Sequence, residues 1–90
     1  MTKKVLKNWF VYIIKCVDGS LYTGYTDNLE KRFERHESGK GAKYTRSHPP
    51  QKIVFSKKCG NKIVAQRIER EIKNLTRAEK IKFIKQNKSG

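Results

Sequence analysis

The sequence predicts an α+β fold in which a three-stranded antiparallel sheet is flanked by helices, in the order β-β-α-β-α-α. Two runs of aromatic and β-branched residues, at 9–16 and 21–26, are separated by a turn signal, as in a β-hairpin. In the second half, apolar residues recur every three or four positions, as on the buried side of a helix. Ninety residues allow one domain, and we expect its core at about 9–84, with frayed ends at 1–7 and 87–90.

The turn between the first two strands decides which tyrosines share a face of the sheet. A two-residue turn would place Tyr12 and Tyr22 on opposite faces. A three-residue loop with Gly19 in the left-handed conformation sets Tyr12 opposite Gly24, on the same face as Tyr22. We favour the three-residue loop, because a bulged turn needs glycine at that position.

Each predicted helix begins at a residue that can cap it. Asp27, followed three residues later by Glu30, caps a first helix that runs to about His36. Asn61 caps the second helix, and Thr76 opens a capping box for the third. The inward residues predicted for these last two helices are Val64, Ala65, Ile68, Ile72 and Leu75, then Ala78, Ile81 and Ile84, with Phe83 at the edge.

The remaining segments are a long loop at 37–50 and a third strand at 52–57. The loop holds glycines, prolines and basic residues with no regular period, and long ordered loops are often functional. Cys16, at the end of the first strand, and Cys59, expected in a turn, are predicted to be reduced thiols. Neither belongs to a C-x-x-C pair, so we expect no structural zinc.

Charge and hydropathy narrow the function classes. The chain carries 22 Lys and Arg against 8 Asp and Glu, a formal net charge of +14. So much like charge disfavours compaction, and a folded chain this basic usually binds a polyanion. Nucleic acid fits better than a membrane, because the basic stretches lack an amphipathic lipid-binding face. No apolar run approaches the ~20 residues of a membrane span and no secretory leader is recognisable, so we expect a cytoplasmic protein.

Several polar side chains would converge in this fold. They are Tyr12, Tyr22, Arg32, His36 and one carboxylate of the pair Glu69 and Glu71. Phosphodiester cleavage needs a group that takes a proton from water or a hydroxyl, a cation for the charge on phosphorus, and a carboxylate for a divalent metal. A tyrosine is a poor base at its ordinary pKa of ~10, so nearby cations would have to favour the phenolate.

Two of these assignments stay open on the residues alone. Glu69 and Glu71 fall on opposite flanks of the apolar stripe of their helix, so periodicity does not choose between them. Either carboxylate is also explained as a solvated charge paired with a basic neighbour on the helix. His36 either positions water or contacts phosphate, or it is a hydrogen-bonded histidine at a helix end.

The order and spacing of the tyrosines resemble a known family. Val11-Tyr12-Ile13, followed after nine positions by Tyr22-Thr23-Gly24, resembles the two signature tripeptides of the GIY-YIG nuclease superfamily. Arg32, ten residues after Tyr22, stands where that family has its arginine-bearing helix. The loop at 39–46 is similar to that of small stand-alone bacterial members and of related structure-specific junction nucleases. The resemblance runs from about Trp9 to Phe83.

The resemblance implies metal-dependent hydrolysis of a DNA phosphodiester. Tyr12 and Tyr22 would be the active-site tyrosines, one of which, or water that it orients, assists the attack. Arg32 would contact the scissile phosphate. Glu69 would be the ligand of one Mg²⁺ or Mn²⁺, completed by waters and phosphate oxygens.

The signature tripeptides depart from the family name at two positions. Val11 stands in place of glycine and Thr23 in place of isoleucine, and neither position supplies the chemistry. Gly24 is retained, and we expect the missing side chain beside Tyr12 to let a phosphate approach closely.

A basic loop is the candidate grip on nucleic acid. Lys40, Lys43 and Arg46 fit a phosphate backbone, and Tyr44 either stacks on a base or anchors the loop to the core. Trp9 is expected in the core or at its rim. The favoured function is a backbone- or structure-directed DNA endonuclease, with a partner protein setting its specificity. The alternatives are a binding module of the same fold without useful catalysis and, last, a protein-interaction module.

Overall fold

The computed structural model describes residues 8–87. The fraying predicted at 1–7 and 87–90 therefore lies outside the described residues except at Asn87, which is the C-cap of the last helix. The elements are β1 (Trp9–Cys16), β2 (Leu21–Thr26), α1 (Leu29–Glu37), α2 (Lys43–Ser47), β3 (Pro50–Cys59), α3 (Lys62–Lys73) and α4 (Arg77–Gln86). The sheet has the order β2-β1-β3, and both pairings are antiparallel. The predicted fold class is confirmed, with the short helix α2 as an addition.

Strand β1 is the centre of the molecule because both of its faces are covered. Val11 and Ile13 point into a core shared with α3 and α4, whereas Tyr12 and Ile14 point into a second cluster with residues of α1 and α2. All four side chains are at most 1% exposed. Fully burying an aliphatic side chain of this size contributes about 1.5–3 kcal/mol, so this strand carries much of the stability.

The hairpin has the three-residue loop that the sequence favours. Gly19 is in the left-handed region, with φ of 89°. Ile14 pairs with Tyr22, and Tyr12 lies opposite Gly24. The loop is closed by the amide of Cys16, which donates to the carbonyl of residue 20 at 2.8 Å. Both tyrosines therefore belong to the face of the sheet that α1 covers.

Helix α1 begins one residue later than predicted. The N-cap is Asn28, whose side chain accepts from the amide of Lys31 at 3.0 Å, and the prediction of Asp27 was wrong. The Oγ1 of Thr26 accepts from the Asn28 amide at 3.1 Å and keeps the chain extended that far. Asp and Asn cap helices about equally well, so the sequence signal is the same at both positions.

The predicted loop at 37–50 is wrong over residues 43–47, which form helix α2. Helix α1 ends in a Schellman motif, in which Gly39 takes φ of 80° and the amide of Lys40 donates to the carbonyl of Arg35 at 2.9 Å. This turn sends the chain back so that α2 lies beside α1. A helix of five residues is too short to leave a periodic signal in the sequence.

The last two helices have the predicted caps. Asn61 accepts from the amide of Val64 at 2.9 Å, and Thr76 and Glu79 form both bonds of the capping box. In α3 the predicted stripe is inward, with Ala65 and Ile72 buried.

Helix α4 packs through its second half. Phe83 meets Phe55 edge-on at 4.9 Å, and Ile84 packs against the same core. The prediction of Ala78 and Ile81 as inward residues was wrong, because Ala78 is exposed and Ile81 is 37% exposed. The large ring of Phe83 buries more apolar surface than Ala78 would, and this sets the rotation of the helix.

Strand β3 is longer at both ends than predicted. Cys59 is its last residue and is buried, so the placement of this cysteine in a turn was wrong. Cys16 and Cys59 are both free thiols, as predicted. Among residues 8–87, no helix is long and apolar enough to cross a membrane.

Candidate active site

Tyr12 projects from the middle of β1 across the neighbouring strand. Its ring centroid lies 6.4 Å from that of Tyr22 on β2. A Cβ atom at Gly24 would stand 2.5 Å from the Tyr12 hydroxyl oxygen, so the ring lies directly over the glycine. The missing side chain at Gly24 thus makes room for the Tyr12 ring, and the expected close approach of a phosphate at this position stays a prediction.

Helix α1 brings Arg32 and His36 to the Tyr12 hydroxyl from one side. The two residues are four apart and share a helix face. Arg32 Nε donates to the Tyr12 oxygen at 3.4 Å, and His36 Nε2 lies 3.0 Å from it. Arginine can only donate, so the Tyr12 oxygen accepts from Arg32, whereas the direction of the bond between Tyr12 and His36 depends on the tautomer of the imidazole.

His36 is 1% exposed, which excludes direct contact with a phosphate in this conformation. Burial and, to a smaller extent, the charge of Arg32 lower the pKa of His36 to about 4. The imidazole is therefore neutral at neutral pH and has a lone pair on one of its two ring nitrogens. Of the two readings of the sequence, the hydrogen-bonded histidine near a helix end describes its position.

Tyr12 is a phenol rather than a phenolate. Burial raises its pKa to about 12, and the hydrogen bond from Arg32 opposes this only in part. The condition for a tyrosine base, that nearby cations favour the phenolate, is not met here, because the loss of solvent outweighs the effect of Arg32. The hydrogen bond to Tyr12 in turn raises the pKa of Arg32, which stays charged.

Glu69 reaches the same place from α3. It lines a cleft of about 300 Å³ together with Tyr12, Tyr22, Gly24 and Arg32. The Glu69 side chain is 17% exposed and pairs with Lys73 at 3.2 Å. Glu71 is exposed and lies outside the lining of this cleft. The structure thus separates the two carboxylates that periodicity leaves equivalent.

The donor set of the cleft fits a loosely held divalent cation. Among the described residues, no three His, Cys, Asp or Glu side chains converge as a metal site. Glu69 supplies the one carboxylate in the lining of the cleft, which also includes Tyr12 and Tyr22. Mg²⁺ is commonly bound through one or two carboxylates and keeps its waters and substrate phosphates as further ligands. The set fits such an ion and does not fit a closed protein cage.

Comparisons with known proteins identify the family of this chain. A family model described as the GIY-YIG catalytic domain matches residues 8–82. The chain belongs to the GIY-YIG family. This is a family of nucleases, and its members generally use divalent metals. The resemblance inferred from the tripeptides is confirmed.

This GIY-YIG chain is similar to several relatives that are named UPF0213 proteins. One from Oceanobacillus iheyensis is 55% identical over 75 residues, which are 83% of this chain and 87% of the relative. Another from Clostridium perfringens is 53% identical over 75 residues, 83% of this chain and 81% of the relative. The solution NMR structure of a UPF0213 protein from Bacillus halodurans is 43% identical, with a TM-score of 0.60, and covers 91% of this chain and 87% of that one.

The basic segment of the GIY-YIG domain has its cations outside and its aromatic residue inside. Lys40, Lys43 and Arg46 are exposed. Tyr44 is stacked between Tyr22, at 5.9 Å, and His48, at 4.0 Å. The structure therefore favours Tyr44 as the anchor of α2 over the alternative of a free platform for a base.

Trp9 stands at the rim of the core, as expected, and it also lines the cleft. Its ring is half-buried and meets that of Tyr25 at 5.9 Å. The Lys62 ammonium lies 5.5 Å from the Trp9 ring centroid, within the range of a cation–π contact. Trp9, Tyr25 and Lys62 also line the cleft, so an aromatic and basic wall faces Arg32.

Thr45 is a site residue that the sequence does not reveal. Its Oγ1 lies 2.6 Å from His36 Nδ1, and the residue is 2% exposed. The contact depends on how α2 folds back onto α1, and no local pattern encodes that.

Proposed function

We propose that this GIY-YIG protein is a divalent-metal-dependent endonuclease that hydrolyses DNA phosphodiester bonds and is directed by the backbone or the shape of the DNA. The observation that carries the proposal is the hydrogen-bonded row from Arg32 through Tyr12 to His36, which borders the cleft that Glu69 also lines. A protein that only binds nucleic acid needs positive charge, and it has no use for a buried proton acceptor behind a tyrosine.

Arg32 is the residue proposed to hold the scissile phosphate. It lines the cleft and donates from Nε to Tyr12, and it also interacts with Tyr22. A guanidinium has five N–H donors, so donors remain for phosphate oxygens. As phosphorus becomes five-coordinate its oxygens gain negative charge, and a fixed cation stabilises that charge more than it stabilises the ground state.

Tyr12 and His36 are proposed to move the proton. As water forms its bond to phosphorus, its proton passes to the Tyr12 oxygen while the Tyr12 proton passes to His36 Nε2, so no free phenolate forms. The bond from phosphorus to the leaving oxygen breaks, and that oxygen takes a proton from solvent. The charge of Arg32 lowers the pKa of His36, and a bound phosphate would offset that charge and make His36 a better acceptor.

Tyr22 and Glu69 complete the proposed site. The Tyr22 ring meets the His36 ring edge-on at 5.2 Å and contributes to the cover over it, while Tyr22 also lines the cleft. Glu69 would hold the divalent ion, which when bound neutralises charge on the phosphate oxygens. The exposed cations Lys40, Lys43 and Arg46 would grip the backbone outside the cleft. A partner protein would then set where the enzyme cuts.

The test is cleavage of branched, flapped, single-stranded and duplex DNA, and of RNA, with Mg²⁺ or Mn²⁺. Arg32→Ala and Glu69→Ala should each reduce the rate by about 100-fold or more. Glu71→Ala is the matched control, because Glu71 lies on the same helix and is exposed, and it should cut like the wild type.

A second candidate is a binding module of the same fold. The ion pair between Glu69 and Lys73 favours it, because it leaves the carboxylate less free for a metal. If the wild type and all three variants bind DNA but cut none of the substrates, the endonuclease proposal is wrong and the protein is a binding module. Binding that does not weaken steeply with salt would favour a protein-interaction module instead.

A further inference from the structure

The hydrogen-bonded row does not end at His36. Thr45 Oγ1 lies 2.6 Å from His36 Nδ1 and 3.0 Å from the carbonyl oxygen of Ala42. Five groups therefore follow one another, namely Arg32 Nε, the Tyr12 hydroxyl, the His36 imidazole, the Thr45 hydroxyl and the Ala42 carbonyl. The last two belong to α2 and its N-cap, outside the helix that carries Arg32 and His36.

The two ends of this row fix the direction of every bond in it. Arg32 has only donors, and a carbonyl such as that of Ala42 has only acceptors. Each group between them therefore donates toward Ala42. A neutral imidazole has one N–H, so that N–H lies on His36 Nδ1 and points at Thr45, and Nε2 is left as the acceptor facing Tyr12.

The reverse arrangement leaves groups unsatisfied. If Thr45 donated to Nδ1, then Nε2 would carry the proton and would donate to Tyr12. The Tyr12 oxygen would then face two donors, one from His36 and one from Arg32, while its own proton lost its acceptor. A buried polar group without a partner is costly, and Tyr12 is 1% exposed.

The loop between the helices keeps other partners away from Nδ1. Gly41 lies so close to His36 that an added Cβ atom would contact Nδ1 and would stand 3.0 Å from the His36 Cα. The backbone of Gly41 thus covers one side of the ring, and Thr45 is the hydroxyl that remains for Nδ1 among the described residues. The tautomer of His36 depends on that one side chain.

We propose that Thr45 is a positioning residue, which holds His36 in the Nδ1–H tautomer so that Nε2 can take the proton of Tyr12. The role of Thr45 in catalysis rests on the proposed nuclease function, whereas the assignment of the His36 tautomer does not. Removing the hydroxyl leaves a buried Nδ1–H without an acceptor. The other tautomer, in which Nε2 carries the proton, then becomes more favourable. That nitrogen then donates to Tyr12 and no longer accepts from it.

The experiment compares Thr45→Val, which keeps the size of the side chain without the hydroxyl, with Thr45→Ser, which keeps the hydroxyl. The first readout is the ¹⁵N NMR spectrum of the His36 ring, which distinguishes the two tautomers. We expect Nδ1–H in the wild type and in Thr45→Ser, and Nε2–H or a mixture in Thr45→Val. The wild-type spectrum needs no variant, and Nε2–H there overturns the proposal.

The second readout is cleavage of the best DNA substrate. Thr45→Val should lower kcat by about 100-fold with KM nearly unchanged, as for loss of a general base, and Thr45→Ser should restore most of it. Equal losses in both variants would overturn the positioning role. If the wild type cuts no DNA and yet His36 changes tautomer in Thr45→Val, the proposed function is wrong and the structural part of this inference holds.

Discussion

The ring of Tyr12 lies across Gly24, and a Cβ atom on that glycine would stand 2.5 Å from the Tyr12 hydroxyl oxygen. The two residues face each other on neighbouring strands, one in each of the two tripeptides that mark the family. The glycine of the second tripeptide therefore serves the tyrosine of the first. Its absence of a side chain fixes where the hydroxyl meets Arg32 and His36.

Gly24→Ala should displace the Tyr12 ring. Tyr12 is buried and its hydroxyl is hydrogen-bonded, so its ring cannot move away from the added methyl group without losing these contacts. We expect a loss of about 1–3 kcal/mol in the free energy of unfolding, typical of overpacking, and loss of DNA cleavage. Urea unfolding and a cleavage assay measure both effects. Gly60→Ala is the control, because nothing lies within 4 Å of a Cβ there, and a comparable loss in it would contradict the steric explanation.

Thr23→Val should stabilise the protein. The Thr23 hydroxyl is buried, and its Oγ1 has no hydrogen-bond partner within the described chain. Replacing it by a methyl group removes an unsatisfied polar atom, worth about 1 kcal/mol in the free energy of unfolding. Thr26→Val is the matched control and should destabilise by a similar amount, since Thr26 Oγ1 accepts from the Asn28 amide. The midpoint of urea unfolding should rise in Thr23→Val and fall in Thr26→Val.

The stability of the fold should decrease in mild acid because of His36. Its pKa is about 4 in the folded protein, against about 6.5 in an unfolded chain. The contribution of the neutral His36 to the free energy of unfolding is present above pH 6.5. It is lost as the pH falls toward 4, because in that range only the unfolded chain binds the proton. The difference approaches about 3 kcal/mol. Urea unfolding at several pH values should show that the free energy of unfolding falls more steeply with decreasing pH in the wild type than in His36→Gln. Parallel pH dependences in the two proteins would contradict the lowered pKa of His36.

Lys43→Ala and Arg46→Ala should weaken DNA binding through the phosphate contacts alone. Each removes one cation, so the slope of log K against log salt should become shallower by about 0.9 per variant on duplex DNA. Lys82→Ala is the control, since Lys82 is exposed on α4, which packs on the opposite face of the sheet from α2. A change in slope for Lys82→Ala, with none for the two α2 variants, would place the DNA on the other face.

Local chemistry explains what the sequence predicts well. Gly19 specifies a bulged turn, and that turn alone sets the register that places Tyr12 opposite Gly24. Thr76 and Glu79 form a capping box whose two bonds lie within four residues of each other. Features of this kind depend on neighbours along the chain, so they are readable before any tertiary contact is known.

Tertiary packing explains what the sequence does not predict. Phe83 rather than Ala78 faces the core, because Phe55 on a distant strand offers a partner for an aromatic ring. The pKa of Tyr12 is raised although Arg32 donates to it, because the burial that opposes ionisation is a property of the assembled sheet and helices. The approach of Thr45 to His36 likewise exists only once α2 has folded back.

Strand β1 places stabilising and reactive side chains at alternate positions, and this ties activity to register. A slip of one residue would turn Ile13 toward the cleft and Tyr12 into the apolar core, and every other side chain of the strand would change face with them. A molecule misfolded in this way would be both unstable and unable to cut. Cleavage would therefore serve as a folding assay, since no loosely assembled form of the sheet could retain it.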